Sequence, residues 1–321
     1  MQSKLHSPLL ALLLAPLVAP AADRLLEAKL TRLDDRVRVE IGGQLFTEYR
    51  FAGVRKPCFF PVHAPDGTPL TVDGDGAFDP HHHSRWFTHG AVNDIIFWNE
   101  RDETRGTIVC ESVDYSAVAS VAEIRSRNRW VGPGQIVHLT DESMIRLRGD
   151  ATTRTIDYAI TLHAPADRPA VLGDTKEGSM AIRLPLWMTP PHAIPARKIP
   201  HAGVGTIVNA EGIKNDAAWG KRSPWVDYHA TKDGKTYGVA IFDHPTNPRH
   251  PTWWHVRTYG LFAANPFGQH DFEGLKNEPH KGDLTISAGG SVSFRWRIYF
   301  HFGDEKGAGI AQRSRQYAAP P

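Results

Sequence analysis

The chain is poor in cysteine, in long apolar runs and in concentrated charge, and each shortage removes a class of protein. Two cysteines in 321 residues, Cys58 and Cys110, cannot build the multi-bridge framework of a small secreted scaffold. A chain of this length folds without one, so the pair can form a single disulfide or remain two thiols. No stretch beyond the first twenty residues is apolar over the length of a membrane-spanning helix. Lysine and arginine never form a block and the formal net charge is only +2, so neither nucleic acid nor a membrane surface is an expected partner. Sustained helical periodicity is missing ahead of the C-terminal tail. No repeat recurs at solenoid or propeller spacing, and no low-complexity linker divides the chain.

At the N-terminus, Lys4 and His6 precede the apolar run from Pro8 to Val18, and Ala19-Pro20-Ala21 fits a small-x-small cleavage site. The expectation is a cleaved signal peptide over residues 1–22 and a periplasmic or secreted protein. Residues 23–321 then form a single β-sandwich domain.

Alternation of apolar and polar residues dominates that domain. Val37, Val39 and Ile41 alternate with Arg36, Arg38 and Glu40, and Leu45, Thr47, Tyr49 and Phe51 continue the pattern after Gly42-Gly43. Thr107 to Val121, Ile136 to Arg148 and Arg154 to His163 read as strands, with shorter ones at Ala181 to Trp187, Gly205 to Asn209 and Thr236 to Phe242. A closing hairpin is expected from Leu284 and Ile286 through Gly289-Gly290 to the apolar face from Val292 to Phe302, which assigns Trp296 to the core. Ile310 to Tyr317 can make one short helix. A dozen strands with Gly/Pro turns predict an all-β fold, a large antiparallel sandwich.

The sequence is rich in histidine (17) and tryptophan (9), and both cluster. Asp79-Pro80-His81-His82-His83-Ser84-Arg85-Trp86-Phe87-Thr88-His89-Gly90 holds four imidazoles, the groups that titrate nearest neutrality and the commonest metal ligands. In an extended stretch His81 and His83 share a side, so with His89 they are the metal candidates; a divalent metal is an admissible cofactor, and none is required. Turn histidines bonded to backbone are the plainer account. Acid–base work on a polyol is the other chemical use, with Arg85 binding hydroxyls or a carboxylate. Gly173-Asp174-Thr175-Lys176-Glu177-Gly178 sets two acids and a lysine between glycines, either as a solvated turn or with Glu177 facing a histidine across a pocket. Trp219 and Trp225, in Gly/Pro-flanked sequence with Asp227, suit a pocket wall. Asp243 to Gly268 adds His244, His250, Trp253, His255, Arg257 and Asn265, and Arg183 faces the same pocket or solvent.

These motifs together resemble a bacterial family labelled "methane oxygenase PmoA-like". The resemblance rests on the histidine cluster up to Gly90, Gly-Asp-Thr-Lys-Glu-Gly at 173–178, Trp-Val-Asp-Tyr at 225–228, Asp-His-Pro at 243–245, Arg-His-Pro-Thr at 249–252, Trp-His-Val-Arg at 254–257 and Asn-Pro-Phe-Gly at 265–268. Typical members carry Arg-Gly-Leu-Trp after paired histidines, where this chain reads His83-Ser84-Arg85-Trp86. The resemblance implies a β-supersandwich similar to galactose mutarotase-like proteins, in which histidines and a glutamate transfer protons.

The leading expectation is therefore a carbohydrate-active enzyme of hydrolase, lyase or epimerase type. His83 or His89 and Glu177 would be its proton-transfer groups. His82, Arg85, Asp174, Lys176, Trp225, Asp227, His244, His250, Trp253, His255, Arg257 and Asn265 would bind a carbohydrate or other polyol. Hydrolysis by two carboxylates would pair Glu177 with Asp174 or Asp227. A non-catalytic sugar-binding module and a histidine-ligated metal oxygenase are the alternatives. All depend on the three clusters meeting in one pocket.

Overall fold

The computed structural model describes residues 24–74, 79–191 and 203–319, and the expected signal peptide lies outside them. The chain opens with β1 (Ala28–Arg32), β2 (Arg36–Ile41), β3 (Gln44–Arg50), β4 (Cys58–Val62) and β5 (Arg85–His89). Four long or short strands follow as β6 (Thr107–Val118), β7 (Val121–Val131), β8 (Val137–Gly149) and β9 (Thr153–His163), then β10 (Ala170–Leu172) and β11 (Gly178–Arg183). The last part supplies β12 (Thr206–Asn209), β13 (Trp225–Lys232), β14 (Lys235–Asp243), β15 (Trp253–Val256) and β16 (Leu261–Asn265). A single turn α1 (Gln269–Phe272), β17 (Leu284–Ile286), β18 (Ser291–Phe302) and the helix α2 (Ile310–Ala318) close the chain.

Two eight-stranded antiparallel sheets result. The first runs β1-β2-β3-β4-β5-β11-β16-β15 and the second β12-β13-β14-β18-β9-β8-β7-β6, with β10 and β17 as a separate ribbon. The fold class read from alternation is the one observed, an antiparallel β-sandwich. Its core lies between the sheets: Val37, Val39, Phe87, Met180 and Ile182 from the first meet Ile124, Trp130, Ile145, Ile160, Trp296 and Ile298 from the second. Each such side chain contributes roughly 1.5–3 kcal/mol through burial.

Three local readings change. The run from Thr107 to Val121 is not one strand; it turns at Ala119 (φ 53) and returns as β7, paired along β6. The inward positions of β7 include Ser126 and Asn128, so the apolar alternation that would announce a strand is broken by polar groups. The C-terminal hairpin is also absent: Leu284 to Ile286 pairs with β10, whereas β18 lies between β14 and β9. Finally, residues 243–268, whose dense polar and aromatic groups read as loop rather than strand, contain two strands, β15 and β16.

The first sheet is covered on both faces near its middle. Every residue of β5, β11 and β16 is buried, because a second apolar layer of Cys58, Trp86, Trp98, Ala181, Leu261 and Ala263 lies on the face turned away from the core. Cys58 and Cys110 are both free thiols.

Candidate active site

Strand parity decides which predicted residues reach that outer face. Opposite residues in an antiparallel pair share a face. Trp86 pairs with Ala181, Ala181 with Ala263 and Ala263 with His255, so His255 joins the outer layer across four strands. Ala181 and Ala263 are small and buried in this layer, beside Trp86 and Trp98.

On one flank His82 stacks on Trp86 (centroids 5.4 Å, planes 20° apart), and His81 meets His82 edge-on at 4.5 Å. Asp79 Oδ2 lies 3.6 Å from His82 Nδ1 and 3.8 Å from Arg183 Nη2. The Arg183 guanidinium sits 5.0 Å from the Tyr259 ring, and that of Arg257 sits 5.5 Å from the same ring and 5.8 Å from Trp219. Trp219 closes the far end, edge-on to His255 (6.4 Å) and Phe272 (5.3 Å). The loop Gly173–Gly178 forms the remaining wall and presents Glu177 and Lys176, with the Lys176 Nζ 3.9 Å from Glu177 and 4.0 Å from Asp271. Histidines from the front of the chain, the acid from its middle and the Trp/His/Arg group from its end thus border one groove.

The electrostatics divide its ionisable groups. Burial pushes the Glu177 carboxyl above its usual value; Lys176 opposes this, and the neighbouring carboxylates of Asp271 and Asp79 add to it. His255 is 3% exposed and burial pushes its imidazole down to about 3. Its Nδ1 lies 2.7 Å from the Lys176 carbonyl. In the neutral ring Nδ1 therefore donates that bond, and Nε2 carries the lone pair. His81 is likewise held neutral, its value lowered to about 4 mainly by burial, with the nearby Lys56 cation adding to it.

Other expected site residues stand elsewhere, for reasons that parity and hydrogen bonding supply. Arg85 points into the core, its guanidinium 3.8 Å above the Tyr158 ring. His89 also turns inward, against Phe267, with Nε2 2.7 Å from the Gly173 carbonyl. His83 sits on the rim with both nitrogens taken, Nδ1 by Asp73 at 2.7 Å and Nε2 by Glu100 at 3.1 Å, while Glu100 also accepts from the buried Lys56 at 2.6 Å. Of the metal candidates His81, His83 and His89, only His81 is therefore placed toward the groove. Asp174 is a staple beneath the loop, accepting from the backbone N–H groups of His270 and Gly282. Asn265 holds the Thr175 carbonyl. Trp253 is buried at the sheet's edge, donating to Glu273 with Arg222 over its ring.

Trp225 and Asp227 belong to the other sheet. Trp225 packs under α2, and Asp227 accepts from His229 and His301 at 2.7 and 2.8 Å. His244 lies against Tyr317 of α2, and His250 is bonded to Asp243. Conversely, Trp219, expected as a pocket wall, and Arg183, expected to face either the pocket or solvent, both line the groove, and Tyr259 joins them. The pairing of Arg183 with Leu261, an outer-layer residue, is the signal that settles its face.

A two-sheet antiparallel sandwich with a polar groove, floored by aromatic and small residues, on the outer face of one sheet is the class of protein that these features define. The chain belongs to DUF6807, a family of unknown function, whose profile matches residues 36–315. Ser84 takes the left-handed φ of 46° that glycine adopts freely. No curated protein matches the chain.

Among solved structures, the chain is similar to the α-galactosidase from Lactobacillus brevis (10% identity, 86% of this chain and 39% of that one, TM-score 0.39). It is also similar to the galactose 1-epimerase from Lactobacillus acidophilus NCFM (7% identity, 87% and 100%, TM-score 0.39). A third is a putative aldose 1-epimerase from Klebsiella pneumoniae subsp. pneumoniae MGH 78578 (9% identity, 92% and 88%, TM-score 0.40). The chain spans about two fifths of the length of the α-galactosidase. Among the described residues no helix is long and apolar enough to cross a membrane.

Proposed function

We propose that the groove on the outer face of the first sheet binds a carbohydrate and moves protons on it, with Glu177 as the acid and His255 as the base. The carrying observation is the opposed tuning of these two groups. One environment raises a carboxyl and another depresses an imidazole, so a protonated acid and an unprotonated base coexist at one pH. Glu177 would give its proton to a ring, glycosidic or leaving oxygen while His255 Nε2 takes one from a hydroxyl or an acidic carbon, leaving the protein's proton count unchanged. Arg183 and Arg257 would hold hydroxyls or a carboxylate, and Trp219 would face the apolar side of a sugar ring.

This pattern favours epimerisation or elimination over two-carboxylate hydrolysis by the expected pairs. Asp174 is committed to backbone N–H groups, and Asp227 lies on the other sheet. The protein's place of work is proposed to be the periplasm or beyond, on the strength of the apolar run and cleavage pattern in residues 1–22.

The test is a screen of glycosides and free sugars by product analysis, comparing wild type with Glu177→Gln. Loss of proton transfer should lower kcat by roughly 10²–10⁴-fold with folding unchanged. Because Glu177 must carry its proton, wild-type activity should fall as pH rises through its raised pKa, and the acid side should persist well below neutrality. Equal turnover by both proteins would remove the acid role. Binding without turnover would identify a sugar-binding module, and turnover that consumes oxygen would identify the oxygenase suggested by the resembled family's label.

A further inference from the structure

We infer that Asp79, His81 and His82 form a divalent metal centre on the flank of the groove, suited to a first-row transition ion such as Zn²⁺. The three residues each offer one ligand atom, and these atoms all lie within 4.8 Å of one another. Two imidazole nitrogens and one carboxylate oxygen are a ligand set that zinc and its neighbours accept, with further positions left for water or substrate.

Two observations separate this cluster from an ordinary polar patch. His82 is only 3% exposed, yet its Nδ1 has no hydrogen-bond partner among the described residues. A buried nitrogen left in that state costs about 1–3 kcal/mol unless something meets it. Secondly, Asp79 Oδ2 stands 3.6 Å from that nitrogen. That is too far for a hydrogen bond but close to the roughly 3.3–3.5 Å between neighbouring ligands around a tetrahedral ion with bonds of about 2.0–2.2 Å. The ring cannot simply swing toward a partner, because it is stacked on Trp86 and flanked by His81 and Trp98.

The contrast with the other candidate group is instructive. Asp227, His229 and Glu305 also gather within 4.8 Å, but there Asp227 already accepts from His229 at 2.7 Å and from His301 at 2.8 Å, so their buried atoms satisfy one another. Of the two clusters, only the first holds a buried nitrogen with no partner among the described residues. Arg183, 3.8 Å from Asp79 Oδ2, belongs to the same site; an ion here would share that carboxylate with it. Facing the groove, the ion would act as a Lewis acid toward a bound hydroxyl or carbonyl. The centre does not depend on the acid–base reading of Glu177 and His255.

The experiment uses the purified full chain, loaded with Zn²⁺ or Co²⁺, freed of excess by gel filtration and measured by elemental analysis and by the visible spectrum of the Co²⁺ form. Wild type should hold about one ion per chain, and Asp79→Asn, His81→Gln and His82→Ala should each lose it. His229→Ala, at the other cluster, should keep it. Circular dichroism checks each fold, and His81→Gln serves if removal of the stacked His82 ring unfolds the protein. A wild type that retains no ion, or folded Asp79→Asn and His81→Gln variants that keep a full complement, would overturn the proposal. A bound ion without sugar turnover leaves the centre standing while the proposed reaction fails, and sugar turnover without an ion does the reverse.

Discussion

Asp141 shows what single residues cost in this sandwich. It lies in the core, 2% exposed, accepting from Trp130 Nε1 and Asn128 Nδ2, both at 2.7 Å, and from Ser143 at 3.3 Å. Burial outweighs these bonds and pushes its carboxyl up to about 6. The folded protein therefore holds a proton that the unfolded chain releases near the ordinary aspartate value. Stability should fall as pH rises from about 4 to about 6, by up to about 3 kcal/mol, and then level off. Denaturant midpoints across that window should show the slope in wild type and lose it in Asp141→Asn; a slope that survives the substitution would assign it to another group. The same buried network explains Arg85. A sequence reader sees an arginine among histidines and infers a ligand, whereas the strand turns it onto Tyr158 in the core. Residue type was legible there, and facing was not, since β5 is buried on both sides and has no polar alternation to reveal its parity.

Among the elements, β5 and the loop ahead of β11 set the groove's geometry. Gly90 ends β5 where a Cβ would stand 2.8 Å from the Glu177 carbonyl and 2.6 Å from the Thr175 side chain. Only a missing side chain lets that loop lie so close. Gly90→Ala should displace Glu177, destabilise the fold by about 1–3 kcal/mol as overpacking does, and lower turnover beyond what the folded fraction explains. A variant whose loss of activity merely tracks unfolding would show that the loop's position is unimportant. The alternating strands β2, β8, β9 and β18 were readable because each has a core face and a wetter face. β7 was hidden by Ser126 and Asn128, and β15 and β16 by polar and aromatic residues that read as loop. The closing hairpin failed for a different reason. Local spacing shows where a turn falls, but β17 is too short to hold β18 and pairs with distant β10 instead.

For the whole molecule, the question is which outer face works. The second sheet's face carries exposed ion pairs, such as Arg127 with Glu142 at 3.2 Å and Arg129 with Glu111 at 2.6 Å, each worth little to stability. The first sheet's face carries buried imidazoles, a raised acid and unequal aromatic walls. Gathering the three clusters on one face was an expectation that the sequence could state but not measure. It holds for His81, His82, Lys176, Glu177, His255 and Arg257. It fails for Trp225, Asp227, His244 and His250, because β13, β14 and α2 carry the chain to the other sheet between them. The most direct measurement is the dissociation constant of a sugar active in the screen, for wild type, Trp219→Ala, Arg257→Ala and Arg127→Ala. The groove predicts a weakening of about tenfold or more, some 1.4 kcal/mol, for the first two variants and no change for the third. Unaltered binding in Trp219→Ala and Arg257→Ala, with loss in Arg127→Ala, would put the site on the opposite face and contradict the account.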